Sequence, residues 1–381
     1  MNILYFAPIQ LYPKGHGNRA TVHQYVARLR SKGHKVHYLC LIEEGVTFRN
    51  LYIAQQYVDT LDVIHQGAPR TRREDGYYEF DSWFFPELGK TVAELCMRYK
   101  IDCIICTYVM YSKILDFVGG GKILKILDTH DKMTDRHLFL KSNGIKDEFF
   151  SCSKDEEAAY LNRAVIIWAR NKTETDYFNQ ITNSKKAITV SHFDTPNYLN
   201  KSIKKIKRFG FLASDNNVNA RLTADFIKCF VEKYTATPID IELVVGGNVY
   251  KLLSESSDIQ NILAKYPVKF TGFYKDTIDF YKDVDCVVCP IVFGTGINVK
   301  MIEAMSFGLP VLTTECGIKG VVSESPYHHF KDQAELLDGL WELFSKETKI
   351  KSLIRTSKDI FNDFYTKNAH RFDSCFKEGK K

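Results

Sequence analysis

The segment 290–311, PIVFGTGINVKMIEAMSFGLPV, contains the most informative group of candidate binding residues in the sequence. Its pattern predicts a strand end, then Gly294 and Gly296, then a helix, so backbone N–H groups and the positive end of the helix dipole would face one point. Lys300 and Glu303 would share a face of that helix. This arrangement suits a phosphate beside Lys300 and a sugar hydroxyl beside Glu303. The alternative is a surface ion pair that contributes little.

A second group of ionisable residues follows an apolar segment in the first half of the chain. Leu127-Asp128-Thr129-His130-Asp131 places an imidazole between two carboxylates. These are also metal-ligand types, so a metal cluster is one interpretation. A second is that His130 caps the next helix. A third is a role facing a substrate at the end of the strand.

Alternating strands and helices must position these residues. Continuous apolar runs of strand length are typical of parallel strands buried on both faces. They predict strands at 3–8, 36–42, 101–106, 123–127, 164–168 and 187–190, and again at 209–212, 241–245, 268–271, 286–290 and 311–313. The pattern predicts a helix over 219–234, and helix starts at Asn171, with Glu174 returning the bond, and at Asp332. The fold class is therefore α/β, with two doubly wound domains.

The composition limits the classes of protein that are possible. The chain has 381 residues, which favours two domains, and its 45% hydrophobic and 26% charged residues exclude a disordered chain. A net charge of +6 is too small for a dedicated nucleic-acid binder. No apolar run approaches the ~20 residues of a membrane span, and the N-terminus lacks the pattern of a signal peptide. We expect a cytoplasmic protein.

Two Cys-x-x-Cys pairs, at 103–106 and 286–289, lie in predicted strands. Residues three apart on a strand point to opposite faces, so we expect buried thiols and no metal. We expect His328 and His329 to lie at the surface. The basic run 201–208 predicts a solvated linker or, as an alternative, a contact with anionic lipid. The basic and aromatic segment 70–85 predicts a packed insertion or an acceptor contact.

Several motifs in order resemble those of GT-B glycosyltransferases, particularly the retaining enzymes of glycosyltransferase family 4. The similarity covers most of the chain and rests on 290–311 together with Gly15–Arg19, Gly33–Val36, Leu127–Asp131, Asn217–Ala220, Phe270–Phe273 and Asp283–Asp285. It implies two Rossmann-like domains facing each other across a cleft. The expected boundaries are 1–200 for the acceptor domain and 201–361 for the donor domain, with the helix at about 362–381 packing back on the first.

The resemblance also implies roles for individual residues. Glu303 matches the last Glu of the family's Glu-x7-Glu motif, which binds the donor ribose, and Lys300 is our candidate for the charge facing the phosphates. His130 matches a position facing the transferred sugar and the acceptor. The remaining donor-side positions are Gly15, Gly17, Asn217, Gly272, Phe273, Thr295, Gly296, Ile297 and Asn298, and the acceptor-side positions are Arg19, Asp128 and Asp131.

One position departs from the family pattern. Thr295 stands where the first Glu of the motif belongs, which removes one expected sugar contact. The Arg and Lys that many relatives carry after the first strand of the second domain are also missing from 210–217. These departures leave open a catalytically silent protein that binds the donor or a partner transferase.

The resemblance implies transfer of a sugar from a nucleotide-diphosphate donor to an acceptor hydroxyl with retention of configuration, without metal or other cofactor. The acceptor would be a saccharide, a lipid-linked saccharide or a protein, in the synthesis of a surface polysaccharide or another glycoconjugate. Peripheral contact with the inner face of the membrane fits such an acceptor. An epimerase or phosphorylase of the same fold is a rival without a clear signature here. A nicotinamide dehydrogenase is disfavoured because the first loop lacks Gly-x-Gly-x-x-Gly.

Overall fold

A computed structural model describes residues 1–13, 17–43, 45–119, 122–145, 149–294 and 296–377. The chain divides into two compact units, 1–191 and 192–381. Each unit contains its own parallel sheet and its own hydrophobic core. The predicted α/β class is confirmed. The packing of the last helix on the first domain stays a prediction.

The first unit is built on a parallel sheet with the strand order β3-β2-β1-β4-β5-β6-β7 in the described residues. Its strands are β1 (Asn2–Ala7), β2 (Lys35–Ile42), β3 (Thr60–His65), β4 (Cys103–Thr107), β5 (Leu124–Asp128), β6 (Ile166–Ala169) and β7 (Ala187–Thr189). Its helices are α1 (Gly17–Ser31), α2 (Phe48–Gln55), α3 (Pro86–Arg98), α4 (Arg136–Ser142), α5 (Lys154–Asn162) and α6 (Lys172–Ile181), with a 3-10 helix at Val109–Phe117.

The second unit contains a smaller parallel sheet with the order β10-β9-β8-β11-β12 in the described residues. Its strands are β8 (Arg208–Leu212), β9 (Glu242–Gly246), β10 (Val268–Gly272), β11 (Cys286–Cys289) and β12 (Val311–Thr313). Its helices are α7 (Asn217–Ala236), α8 (Tyr250–Leu253), α9 (Ser257–Lys265), α10 (Thr277–Asp283), α11 (Val299–Ser306), α12 (Gln333–Leu343) and α13 (Glu347–Ser374), with a 3-10 helix at Pro326–His328.

Each sheet has a point where the strand order reverses. In the first unit it lies between β1 and β4, and in the second between β8 and β11. At such a point the connections leave in opposite directions and open a crevice at the carboxyl ends of the strands, where open α/β sheets bind ligands. The fold thus points to one candidate crevice in each unit.

The helix caps that the sequence predicts are present, with one difference. Asp332 accepts a hydrogen bond from the Glu335 N–H at 2.9 Å, and Asn171 accepts one from the Glu174 N–H at 2.9 Å. The Glu174 carboxylate, however, accepts from the backbone N–H of Arg170 at 3.0 Å, one residue before the cap. It therefore joins a buried cluster described below.

The basic segments flagged in the sequence make contacts within their own units. Arg70 pairs with Glu43 at 2.5 Å and stacks on the ring of Trp83, and Arg73 pairs with Glu156 at 2.6 Å. These contacts favour the packed insertion over an acceptor contact. Within the linker, Lys201 pairs with Asp285 at 3.0 Å.

Two further findings concern the surface. His328 is buried, and the Ser323 hydroxyl lies 2.7 Å from its Nδ1, so the prediction of a surface position was wrong for this residue; His329 is exposed as expected. The loop carries His328 against β12, next to the bridge between Thr314 and Phe330. Among the helices of the described ranges, none combines the length and apolar character needed to cross a membrane.

Gly210 in β8 lets two strands approach closely beside the second crevice. A Cβ built on it would lie 1.9 Å from the carbonyl oxygen of Val244 in β9. Because this neighbour is backbone, Gly210→Ala must shift a strand, and we expect it to lower the free energy of unfolding by about 3 kcal/mol. Chemical denaturation measures this loss. Gly119→Ala, where an added Cβ meets nothing within 4 Å, is the control. Equal stability of the Gly210 variant and the parent would contradict the strand spacing.

Candidate functional site

A cavity lies at the strand-order reversal of the second unit. The ends of β8 and β11 form its floor, and α7 and α11 form its sides. Its lining includes Ala213, Asn219, Pro290, Ile291, Asn298 and Lys300. The cavity is therefore where the topology predicts a ligand, and it contains two of the residues singled out from the sequence, Asn298 and Lys300.

Asn298 ties the start of α11 to the end of β11. Its side-chain oxygen accepts a hydrogen bond from the Met301 N–H at 3.1 Å, which caps the helix. Its Nδ2 lies 2.8 Å from the Sγ of Cys289, the last residue of β11. Gly296, two residues earlier, has φ +76°, a backbone conformation that glycine adopts readily. The helix N-terminus is thus held at the cavity, where its dipole favours an anion.

Lys300 lines the cavity and makes no ion pair or hydrogen bond through its ammonium group with the described residues. Burial lowers the pKa of Lys300 to about 8, although the nearby carboxylates of Glu303 and Asp215 act in the opposite direction. An ammonium that is desolvated and unpaired gains from the arrival of an anion. Asp215 lies in the loop after β8, so Lys300 has an acidic neighbour there.

Glu303 is held from the neighbouring helix α10. The Thr277 hydroxyl donates to Oε1 at 2.5 Å and the Tyr281 hydroxyl donates to Oε2 at 2.9 Å. Burial and the charge of Asp194 raise the pKa of Glu303, while these two hydroxyls oppose the rise. Each carboxylate oxygen keeps a further lone pair, so the group can accept hydrogen bonds from a ligand. Glu303 is therefore oriented as an acceptor and does not pair with Lys300.

Among the described residues, the others predicted for the donor side do not line the cavity. Asn217 begins α7, and its neighbour Asn219, rather than Asn217, lines the cavity. Gly272 ends β10 with φ +72°, and the Phe273 ring that follows is 50% exposed. Ile297 packs partly buried against the core. Gly17 opens α1. Gly15 and Thr295 lie outside the described residues.

The first unit places its predicted residues at the end of β5, beside its own strand-order reversal. Asp128 is fully buried, and its Oδ2 lies 3.1 Å from His130 Nε2. The distance allows attraction, but the angle does not make a well-aligned hydrogen bond. Asp131 pairs with Arg136 at 3.1 Å, and Arg19 donates to the Pro13 carbonyl at 3.4 Å. The structure thus joins Asp128 and His130 and gives Asp131 and Arg19 other neighbours.

His130 and Tyr108 share an unusual backbone conformation. Both have positive φ, +61° for His130 and +69° for Tyr108, and their rings lie 4.9 Å apart. Tyr108 directly follows β4, and His130 stands two residues after the end of the adjacent strand β5. The Tyr108 hydroxyl accepts a hydrogen bond from Asn18 at 3.3 Å, at the start of α1. Positive φ is rare for aromatic residues and concentrates at functional sites. This pair marks the first crevice.

Sequence reasoning missed the residues that hold the site from other elements. Thr277 and Tyr281 lie four positions apart on α10, which indicates a shared helix face but not its partner. Lys319 donates to the Gly294 carbonyl at 3.3 Å and brings a second ammonium group to the glycine segment. Nothing in the local sequence of Lys319 marks it for this position.

Part of the second unit matches a known family model. Residues 207–345 match the family described as "Glycosyl transferases group 1". This range includes the whole cavity, Lys300 and Glu303. The sequence has no significant match among curated proteins.

Solved structures resemble the chain over nearly its whole length. TarM of S. aureus superposes with a TM-score of 0.72 at 11% identity, covering 99% of each chain. HepE of Anabaena, in complex with UDP, has a TM-score of 0.65 at 15% identity and covers 98% of this chain and 100% of its own. The pneumococcal O-GlcNAc transferase GtfA, in complex with UDP and GlcNAc, has a TM-score of 0.65 at 10% identity and covers 99% of each chain.

These similarities agree with the architecture described above. At such low identity they establish the fold and leave the substrate open. The chain has the two-domain α/β fold of GT-B glycosyltransferase structures, and its residues 207–345 match the glycosyl transferases group 1 family.

Proposed function

We propose that this protein is a glycosyltransferase that moves a sugar from a nucleotide-diphosphate donor to an acceptor hydroxyl with retention of anomeric configuration. The observation that carries the proposal is the cavity at the strand-order reversal of the second unit, with Lys300 in its lining and Asn298 capping the helix that begins there. A diphosphate fits a helix N-terminus beside an unpaired ammonium group. Glu303, held by two hydroxyl donors, would accept hydrogen bonds from the ribose.

The chemistry expected at this site needs positioning and electrostatics more than a strong base. The bond between the anomeric carbon and the β-phosphate oxygen breaks, and the acceptor oxygen bonds to that carbon on the same face. The acceptor proton passes to the departing phosphate oxygen. Negative charge grows on the phosphate during this step, and Lys300 with the α11 N–H groups would stabilise it. No metal ion is part of this proposal.

The first unit would supply the acceptor side. His130, buried next to Asp128, has a pKa lowered by burial, so it is expected to be neutral near pH 7 and able to accept a hydrogen bond from a hydroxyl. We propose a saccharide, lipid-linked saccharide or protein acceptor in the synthesis of a surface polysaccharide or another glycoconjugate. We also propose a cytoplasmic location. Co-sedimentation with anionic vesicles tests whether the protein also binds the inner face of the membrane.

Binding of nucleotides tests the donor half of the proposal. HepE and GtfA were solved with UDP, so UDP leads a panel with GDP, ADP, CMP, dTDP and their sugar conjugates. At about 100 times its dissociation constant, a ligand that binds only the folded state adds roughly 2.7 kcal/mol. We expect a clear rise in melting temperature with one nucleotide class, and the same rise in EDTA. No rise with any nucleotide would contradict the proposal.

Transfer itself separates an enzyme from a silent donor-binding protein. The nucleotide that stabilises the protein identifies the donor class, and release of that nucleotide diphosphate is then measured with candidate acceptors. Hydrolysis or transfer that depends on Lys300 and Glu303 supports the enzyme. Binding with no turnover on any acceptor would favour the silent partner.

A further inference from the structure

A buried arginine stands behind the Asp128–His130 pair in the first unit. Arg170 follows β6, and its guanidinium is almost fully buried. Its Nη2 contacts Asp128 Oδ1 at 2.5 Å, and its Nη1 donates to the Tyr25 hydroxyl at 2.5 Å and to the Val190 carbonyl at 3.1 Å. The guanidinium is therefore held by three elements around it. Asp128 Oδ1 accepts from Arg170, while Oδ2 accepts from the Tyr5 hydroxyl at 3.3 Å and lies 3.1 Å from His130 Nε2.

We infer that Arg170 is a positioning residue, which keeps Asp128 ionised and in place so that Asp128 orients the imidazole of His130 towards the acceptor. This inference rests on the function proposed above. The ring needs such support because the His130 backbone has φ +61°, and because Nε2 is buried without a well-aligned hydrogen bond. With Asp128 as an anion beside Nε2, the neutral ring carries its proton on Nε2 and keeps Nδ1 as an acceptor.

Charge balance supports the assignment. An isolated buried carboxylate is costly, and the guanidinium offsets this cost. The pKa of Asp128 is lowered overall, because attraction by Arg170 and then by His130 outweighs the burial that would raise it. Arg170 also lowers the pKa of His130. The other titratable groups around this cluster are Tyr5, Tyr25, Cys106, Tyr108, Asp131 and Glu174.

Glu174 supports Arg170 from the next helix. Its carboxylate accepts from the Arg170 backbone N–H, and burial raises the pKa of Glu174 to about 8. The raised pKa reduces the negative charge that Glu174 brings to the cluster, and the Arg170 guanidinium balances the charge of Asp128. Removal of Arg170 would leave Asp128 and His130 with excess negative charge. The pair would then bind a proton at higher pH than in the parent protein.

The test compares Arg170→Met with Arg170→Lys in the full chain, with Tyr25→Phe as the matched control. Tyr25→Phe removes one partner of the guanidinium and keeps its charge. Circular dichroism and melting establish that each variant folds. The readouts are the NMR titration of the His130 ring, assigned by its loss in His130→Gln, and the pH dependence of kcat.

We expect Arg170→Met to move the titration of the pair to higher pH and to lower kcat by about 10- to 100-fold with the donor KM unchanged. Arg170→Lys should show smaller changes in the titration and in kcat than Arg170→Met. Tyr25→Phe should change neither the titration nor kcat strongly. If Arg170→Met does not fold, Arg170→Lys becomes the test. Its ammonium group keeps the charge but cannot reproduce all the guanidinium contacts, so the titration and kcat should still change. A folded Arg170 variant with the parent titration and kcat would overturn the inference. A parent protein with no transferase activity would refute the proposed function, while the titration would still test Arg170.

Discussion

Replacing Lys300 with alanine is expected to lower kcat for sugar transfer by about 100- to 1,000-fold, the effect typical of removing one preorganised group that stabilises developing charge. Lys300 lines the cavity and has no ionic partner among the described residues, so its ammonium group is available to the leaving phosphate. Steady-state release of nucleotide measures the loss. The matched control is Lys331→Ala, which removes an exposed lysine of the same unit. Equal rates for the Lys300 variant and the parent would refute the site.

The same residue predicts a pH dependence of nucleotide binding. Its pKa of about 8 in the free protein means that the ammonium is lost as pH rises through that value. A bound diphosphate favours the charged form, so the complex holds its proton to higher pH than the free protein. Affinity for the nucleotide diphosphate that stabilises the protein should therefore fall above about pH 8. Lys300→Arg keeps its charge over this pH range, so its affinity for the nucleotide should not fall above about pH 8. Calorimetry between pH 6.5 and 9.5 measures the affinity of both proteins. An equal pH dependence in the arginine variant would show that Lys300 is not its cause.

Local spacing explains how much of the site could be predicted. Lys300 and Glu303 share a helix face because the helix period places them there, and Asn298 is a capping residue by type. The sequence predicts doubly wound sheets, and a sheet of this kind contains a strand-order reversal. Strand limits such as 311–313 were confirmed, because buried apolar runs carry a strong local signal.

The contacts that orient the site could not be predicted, since they join distant parts of the chain. Thr277 and Tyr281 reach Glu303 from another helix, and Arg170 reaches Asp128 from the end of the neighbouring strand. Such pairs depend on how the elements pack, and local sequence patterns do not reveal this packing. The surface position predicted for His328 was wrong for the same reason, since its polar loop folds against β12.

Glu303→Gln is expected to weaken binding of the stabilising nucleotide diphosphate by about 10- to 100-fold, since hydrogen bonds to charged groups contribute about 1.5–3 kcal/mol. The glutamine keeps the shape but loses the charge, and its amide nitrogen cannot accept from the Thr277 or Tyr281 hydroxyl or from ribose. The effect should appear mainly in the donor KM. Tyr281→Phe, which removes one of the two donors that orient Glu303, should cost less, about fivefold for a bond near 1 kcal/mol.

A ligand without the 2′-hydroxyl identifies what Glu303 contacts. If the carboxylate binds the ribose, the parent should bind the 2′-deoxy form of the stabilising nucleotide diphosphate more weakly than the ribose form. The Glu303→Gln variant should discriminate between the two much less. Two changes that remove the same interaction are not additive, whereas changes at independent sites add within about 0.5 kcal/mol. Calorimetry of both proteins with both ligands completes the cycle. Additive losses would show that Glu303 does not contact the ribose 2′-hydroxyl, and that the Thr277 and Tyr281 hydroxyls do not orient it for that contact.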